Sequence, residues 1–198
     1  MITGDNMRSS EITRTTKETD ISIKLDLDGT GKVNIDTGIG FFDHMLTALG
    51  VHAGFDLDVR VKGDLNVDGH HSVEDTGIAL GQAFAKAIGD KLGISRYGSF
   101  YIPMDEALCF CSLDISGRPF LVYKASLTNE KVGEYDTCLT EEFFRAFAFN
   151  SGITLHIREE YGSNDHHIIE AMFKALAHAL KEAVSIKGEG VLSTKGVL

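Results

Sequence analysis

Two stretches decide how this chain reads: His70-His71-Ser72-Val73-Glu74 and, 96 residues later, His166-His167-Ile168-Ile169-Glu170. From His70 the apolar positions follow a helical period through Val73, Leu80, Phe84 and Ile88. Working outward, the segments before each motif also correspond. Ile21, Ile23, Leu25 and Leu27 alternate with Ser22, Lys24, Asp26 and Asp28, the mark of a half-buried strand, closed by the turn Asp28-Gly29-Thr30-Gly31. Leu113-Asp114-Ile115-Ser116-Gly117 repeats Leu25-Asp26-Leu27-Asp28-Gly29. A short strand around Val33–Ile35 corresponds to one over Phe120–Ala125, and Asp36-Thr37 to Asp136-Thr137. Phe41 to Leu49 reads as a helix with Phe42, Met45, Leu46 and Leu49 on one face. Ala53-Gly54-Phe55-Asp56-Leu57 matches Ser151-Gly152-Ile153-Thr154-Leu155, and Leu57, Val59 and Val61 begin the next alternation.

The offset drifts from about 88 to about 100 and back to 96, as small loop insertions produce. A repeat this long is a duplicated domain half, since solenoid units run to roughly 20–50 residues. Each half reads strand, strand, helix, strand, helix, which makes the fold class α+β with helices on one sheet face. The expected division is 1–92 for the first half-repeat and 93–198 for the second, together one compact unit, with 90–106 as the join.

Composition narrows the function. With 198 residues, 43% of them hydrophobic, the chain has enough apolar side chains for a core. A net charge of −10 with no basic stripe argues against a nucleic-acid partner. No apolar run approaches the roughly 20 residues of a membrane helix, and no signal-peptide pattern opens the chain. Three cysteines, Cys109, Cys111 and Cys138, form no C-x-x-C pair, and an odd number suits a reducing compartment. A cytoplasmic enzyme is expected. Its acidity does not preclude a phosphorylated substrate, because a few converging arginines and lysines can hold a phosphate.

Eight histidines, with two adjacent pairs, are the unusual feature. On a helix, i and i+4 share a face, so His70 can act with Glu74 and His166 with Glu170. Adjacent histidines diverge by about 100°, which suits two cations better than one. Aligned through Gly54 and Gly152, Asp43-His44-Met45-Leu46 falls on Glu141-Glu142-Phe143-Phe144, making His44 and Glu142 pseudo-equivalent donors. Two sets of four follow: His44, His71, Glu74 and His167, and Glu142, His70, His166 and Glu170. Nitrogen and carboxylate donors without thiolate suit Mn²⁺, Fe²⁺, Zn²⁺ or Co²⁺, with near-octahedral Mn²⁺ preferred. The plainer reading, that paired histidines cap helix starts beside Asp68 or Asp165, covers one copy better than two. His156 reads as a surface strand position, His178 as an exposed helix position, and His52 as a neighbour of the His44 helix.

Phe42-Asp43-His44-Met45-Leu46, His70-His71-Ser72-Val73-Glu74-Asp75, Asp114-Ile115-Ser116-Gly117-Arg118-Pro119, Val132-Gly133-Glu134-Tyr135-Asp136-Thr137, His166-His167-Ile168-Ile169-Glu170-Ala171 and Ser193-Thr194-Lys195-Gly196-Val197 occur in this order. In these motifs, from about Arg14 onward, the chain resembles the imidazoleglycerol-phosphate dehydratases of histidine biosynthesis. The resemblance implies a helical layer between two four-stranded mixed sheets. It implies a lyase with two Mn²⁺ per active site that dehydrates imidazole glycerol phosphate to imidazole acetol phosphate. It also implies a homo-oligomer in which trimers build a 24-mer and metal sites lie between subunits. Many members carry histidine where this chain has Glu142, and a carboxylate remains a competent Mn²⁺ ligand.

The implied chemistry explains the parts. The hydrogen to be lost is not acidic, so the ring must push electrons. Metal-bound as imidazolate, it would expel the hydroxyl to a diazafulvene-like intermediate, and C–H proton loss would then give the enol and ketone. A proton donor and acceptor are needed. Glu18 matches a family position near substrate and is the leading carboxylate, beside the catalytic ligands Glu74 and Glu170; Asp105-Glu106 comes second. Arg96, Arg118 and Lys174 are carried over as phosphate-binding cations, with Ser193, Thr194 and Lys195 near the C-terminus. A di-iron carboxylate bundle is opposed by the alternating strands, and a merely structural metal assembly by the phosphate-grip residues.

Overall fold

Alternating and helical burial patterns resolve into ten strands and four helices among residues 8–196, the part that the computed structural model describes. The first half comprises β1 (Ser9–Thr15), β2 (Thr19–Asp26), β3 (Val33–Asp36), α1 (Gly40–Ala53), β4 (Asp56–Gly63) and α2 (His70–Ile88). The second comprises β5 (Tyr97–Met104), β6 (Ala107–Asp114), β7 (Phe120–Lys124), β8 (Lys131–Val132), β9 (Tyr135–Asp136), α3 (Leu139–Ser151), β10 (Thr154–Tyr161) and α4 (Asp165–Ala183). The sheet orders are β1-β2-β4-β3 and β5-β6-β10-β7. In each sheet the first two pairings are antiparallel and the last is parallel. Identical topology and strand order are consistent with the duplication. The β8–β9 hairpin lies between β7 and α3, where the offset rises.

The four helices fill the layer between the sheets. α2 lies on β1 and β2, and α4 on β5 and β6. Helices pair across the halves: α1 packs on α4 and α2 on α3. Phe42, Met45, Leu46 and Leu49 of α1 are buried, as are Val73, Leu80, Phe84 and Ile88 of α2. Each such side chain contributes about 1.5–3 kcal/mol by leaving water. α2 approaches α3 through Gly77 and Gly81. A Cβ at Gly77 would lie 2.8 Å from Ala146 Cβ and 2.9 Å from the Phe143 carbonyl oxygen. Among the described residues, no helix is long and apolar enough to cross a membrane.

The sandwich matches the expected architecture, with one difference: each half begins a strand earlier than its periodicity indicates. β5 lies within the segment expected to join the halves. The inner face of β1 presents Ser10, Ile12 and Arg14, with the Ser10 hydroxyl donating to the Ala83 carbonyl at 2.7 Å and Arg14 bound to Asp75. Polar side chains satisfied by α2 fill places where apolar ones would reveal the alternation. Val197, the last residue of one matched motif, lies outside the described residues.

Candidate metal centre

The paired histidines sit at helix starts where the first histidine's N–H is bound by another side chain. Asp68 accepts from the His70 N–H at 2.8 Å, and Asn164 from the His166 N–H at 3.0 Å. The imidazoles are therefore free of capping work. α1 and α4 lie side by side, which brings His44 Nε2 to 3.3 Å and His166 Nε2 to 3.2 Å from Glu170 Oε2. Phe41 meets the His166 ring edge-on, with ring centroids 5.0 Å apart. Glu170 Oε1 faces the Lys174 ammonium at 2.6 Å, so its two oxygens serve different partners. Burial pushes the Glu170 carboxyl up, but Lys174 and His44 outweigh that and hold it below its ordinary value.

This set fits a divalent first-row cation. Its three donor atoms lie within 4.8 Å of one another. Bonds of about 2.1 Å at right angles leave adjacent donors about 3 Å apart, close to the two histidine–Glu170 distances. The donor types, two imidazole nitrogens and one carboxylate, suit Mn²⁺, Fe²⁺, Zn²⁺ or Co²⁺.

The other sequence-predicted donors stand apart from this set within the chain. His70 Nε2 lies 3.6 Å from Glu74 Oε2, with both side chains close to half exposed. Glu142 turns to Arg145 at 3.3 Å. His71 Nδ1 binds Asp64 at 3.0 Å and its Nε2 faces Glu18 at 3.7 Å. His167 Nδ1 binds Glu106 at 2.7 Å and its Nε2 faces Asp105 at 3.8 Å. Within one chain, α1–α4 packing places His44 beside His166 and Glu170, whereas the expected sets put His44 with His71, Glu74 and His167. The hydrogen bond from His167 and the N–H groups of Asn164 and Ser163 hold the Glu106 carboxyl down to about 2. Conversely, Glu106 raises the His167 pKa, and Asp64, helped by Glu18, raises that of His71.

Arg96, Arg118, Ser193, Thr194 and Lys195 line one open groove of about 850 Å³. Arg96 is buried. It binds Asp114 through Nε at 2.7 Å and Nη2 at 3.0 Å, and donates to the Leu192 carbonyl at 2.6 Å. Arg96 therefore ties the C-terminal segment to the sheet and has few donors to spare. Arg118, 69% exposed, faces the groove more freely. Lys174 does not line this groove; it stands beside Glu170.

Sequence reading left Asp64 and Asp114 without roles. The only signal for Asp64 was its place after a strand, seven residues before His71. His178 also differs from expectation. It is half-buried, 3.3 Å from His52 Nδ1 and packed on Phe100, while His156 is exposed as expected. Burial lowers the pKa of both His52 and His178, with Lys174 contributing at His52 and Lys181 at His178.

A family model described as imidazoleglycerol-phosphate dehydratase matches residues 37–180. A relative of that name from Clostridium kluyveri is 62% identical over 97% of this chain and 100% of its own length. Another from Lactococcus lactis subsp. cremoris is 60% identical over 97% of this chain and 98% of its own. The crystal structure of imidazoleglycerol-phosphate dehydratase from Staphylococcus aureus superposes with a TM-score of 0.83 at 44% identity, covering 90% of this chain and 99% of that one. That from Pyrococcus furiosus gives 0.82 at 39% identity, covering 94% and 100%.

Proposed function

The chain belongs to the imidazoleglycerol-phosphate dehydratase family of hydro-lyases in histidine biosynthesis, and from that premise we propose that it dehydrates imidazole glycerol phosphate to imidazole acetol phosphate with two Mn²⁺ ions per active site. The observation that carries the metal requirement is the convergence of His44, His166 and Glu170 across α1 and α4. Bound Mn²⁺ would supply Lewis acidity and a fixed template for the substrate's ring nitrogens.

The chain's own groups do the rest. His44, His166 and Glu170 hold one cation. His70, His71, Glu74, Glu142 and His167 complete the two ligand sets when copies of the chain meet. That incompleteness within one chain supports a homo-oligomer with metal sites between subunits, of which a 24-mer of trimers is our assignment. Glu18 is just over half exposed and hydrogen-bonds to no partner through its carboxylate among the described residues. It is free to protonate the departing hydroxyl or accept the carbon-bound proton. Arg118, Ser193, Thr194 and Lys195 grip the phosphate; Arg96 shapes the groove and adds charge, and Lys174 supplies a further cation from the metal helix. We place the reaction in the cytoplasm.

Purified protein assayed on imidazole glycerol phosphate tests the reading. Turnover should require Mn²⁺, vanish on chelation and return on reloading. Undiminished turnover after exhaustive chelation would remove the metal, and no turnover with Mn²⁺ present would remove the lyase.

A further inference from the structure

Each half carries a glutamate immediately before its second strand: Glu18 before β2 and Glu106 before β6. Both reach the second histidine of the nearby motif, but through different ring nitrogens. Glu106 takes Nδ1 of His167 at 2.7 Å, while Glu18 faces Nε2 of His71 at 3.7 Å. The difference arises one residue past the strand before each motif. After β4 stands Asp64, which takes Nδ1 of His71 at 3.0 Å; after β10 stands Gly162, which has no side chain to do so.

We propose that Asp64 and Glu106 are positioning residues that hold His71 and His167 by Nδ1, so that each presents Nε2 as its metal-binding nitrogen. The proposal rests on the metal-dependent reading above. Carboxylates only accept, so Nδ1 must carry the hydrogen in both bonds, and a neutral ring then keeps its lone pair on Nε2. Metal-bound histidines commonly use this outer partner to fix tautomer and ring orientation. Glu106 is itself fixed, since its other oxygen accepts the Asn164 N–H at 2.8 Å and the Ser163 N–H at 3.2 Å. In the first half Asp64 performs this task, which leaves Glu18 unbound and available to substrate. In the second half Glu106 must perform it. The two related glutamates thus have separate duties.

The test uses full-length Asp64→Asn, Glu106→Gln and Glu18→Gln. Mn²⁺ affinity is read by equilibrium dialysis with metal analysis, turnover at saturating Mn²⁺, and unfolding of the metal-free proteins by circular dichroism. Asp64→Asn and Glu106→Gln should weaken Mn²⁺ binding about 10–100-fold, with turnover largely recovered in excess Mn²⁺. Asp64→Glu should restore part of the affinity. Glu18→Gln should bind Mn²⁺ like the parent and turn over slowly at any Mn²⁺ concentration. Unchanged Mn²⁺ affinity in Asp64→Asn and Glu106→Gln would overturn the positioning role while leaving the lyase reading intact, even if either variant melted earlier. A parent protein that neither bound Mn²⁺ nor turned over would overturn both.

Discussion

Replacing Glu170 with glutamine separates the two tasks of that side chain. Glu170 is 7% exposed and Lys174 is 19% exposed, with 2.6 Å between ammonium and carboxylate. Glutamine keeps the shape and some hydrogen bonds but removes the charge. Hydrogen bonds to charged groups contribute about 1.5–3 kcal/mol and neutral ones about 0.5–1.5, so the metal-free fold should lose about 1–2 kcal/mol. The lowered pKa of Glu170 shows that its partners outweigh the burial of its charge, which gives the change its sign. For a chain of this length the loss corresponds to a melting point lower by about 2–8 °C. Glu74→Gln is the comparison. Glu74 is 44% exposed and its imidazole partner stands 3.6 Å away, so at most about 1 kcal/mol is at stake. Both variants should lose Mn²⁺ affinity by more than the roughly 10–100-fold that follows loss of an outer partner. Thermal melts of chelated protein at one fixed concentration, paired with metal analysis, read both quantities. If Glu170→Gln melts no earlier than Glu74→Gln and still binds Mn²⁺ like the parent, the argument from the α1–α4 cluster fails.

Arg118→Ala should raise KM for the phosphorylated substrate with kcat largely kept, because a phosphate grip is shared by ground and transition states; an unchanged KM would contradict it. The pKa values of His71 and His167 are raised above 6.5, so their ion pairs stabilise the metal-free fold below that pH and lose this effect as pH rises through the folded values. Mn²⁺ must displace those protons, so its affinity should climb over the same interval, and titration calorimetry in two buffers should show proton release. Gly77→Ala gains about 1 kcal/mol of helix propensity but crowds the Phe143 carbonyl and Ala146, at about 1–3 kcal/mol. A net lower melting point is expected, and a rise would mean that α3 yields easily. Burial raises the Cys109 thiol pKa to about 12 and drives that of Cys111 higher still, while Cys138 is exposed. A thiol reagent should therefore modify Cys138 alone in the native protein, as mass spectrometry would show.

The inner strands and the helices were legible because each buries one apolar stripe: Ile21, Ile23 and Leu25 at period two, and Phe42, Met45, Leu46 and Leu49 at helical spacing. β1 was not, since Ser10 and Arg14 point inward and are satisfied by α2 rather than by apolar contact. β5 hid for the opposite reason. Tyr97 and Tyr101 face outward while Phe100 and Ile102 face inward, so no alternation shows, and Gly98 and Pro103 read as loop. Every proposed donor was visible as a residue, but the grouping of His44 with His166 and Glu170 was not. It depends on which helices lie together, a long-range pairing that local periodicity does not carry. Asp114 was visible within a matched motif, yet its grip on Arg96 is a side-chain contact beyond the reach of spacing.

The crossed pairing of helices, first with fourth and second with third, means that the cluster of His44, His166 and Glu170 needs both segments. Were the two segments separate identical molecules, any substitution would strike both at once. Joined in one polypeptide, each can change alone. An aspartate can stand at 64 while glycine stands at 162, and an imidazole at 44 while a carboxylate stands at 142. Covalent linkage thus lets the two related halves differ in charge and in duty.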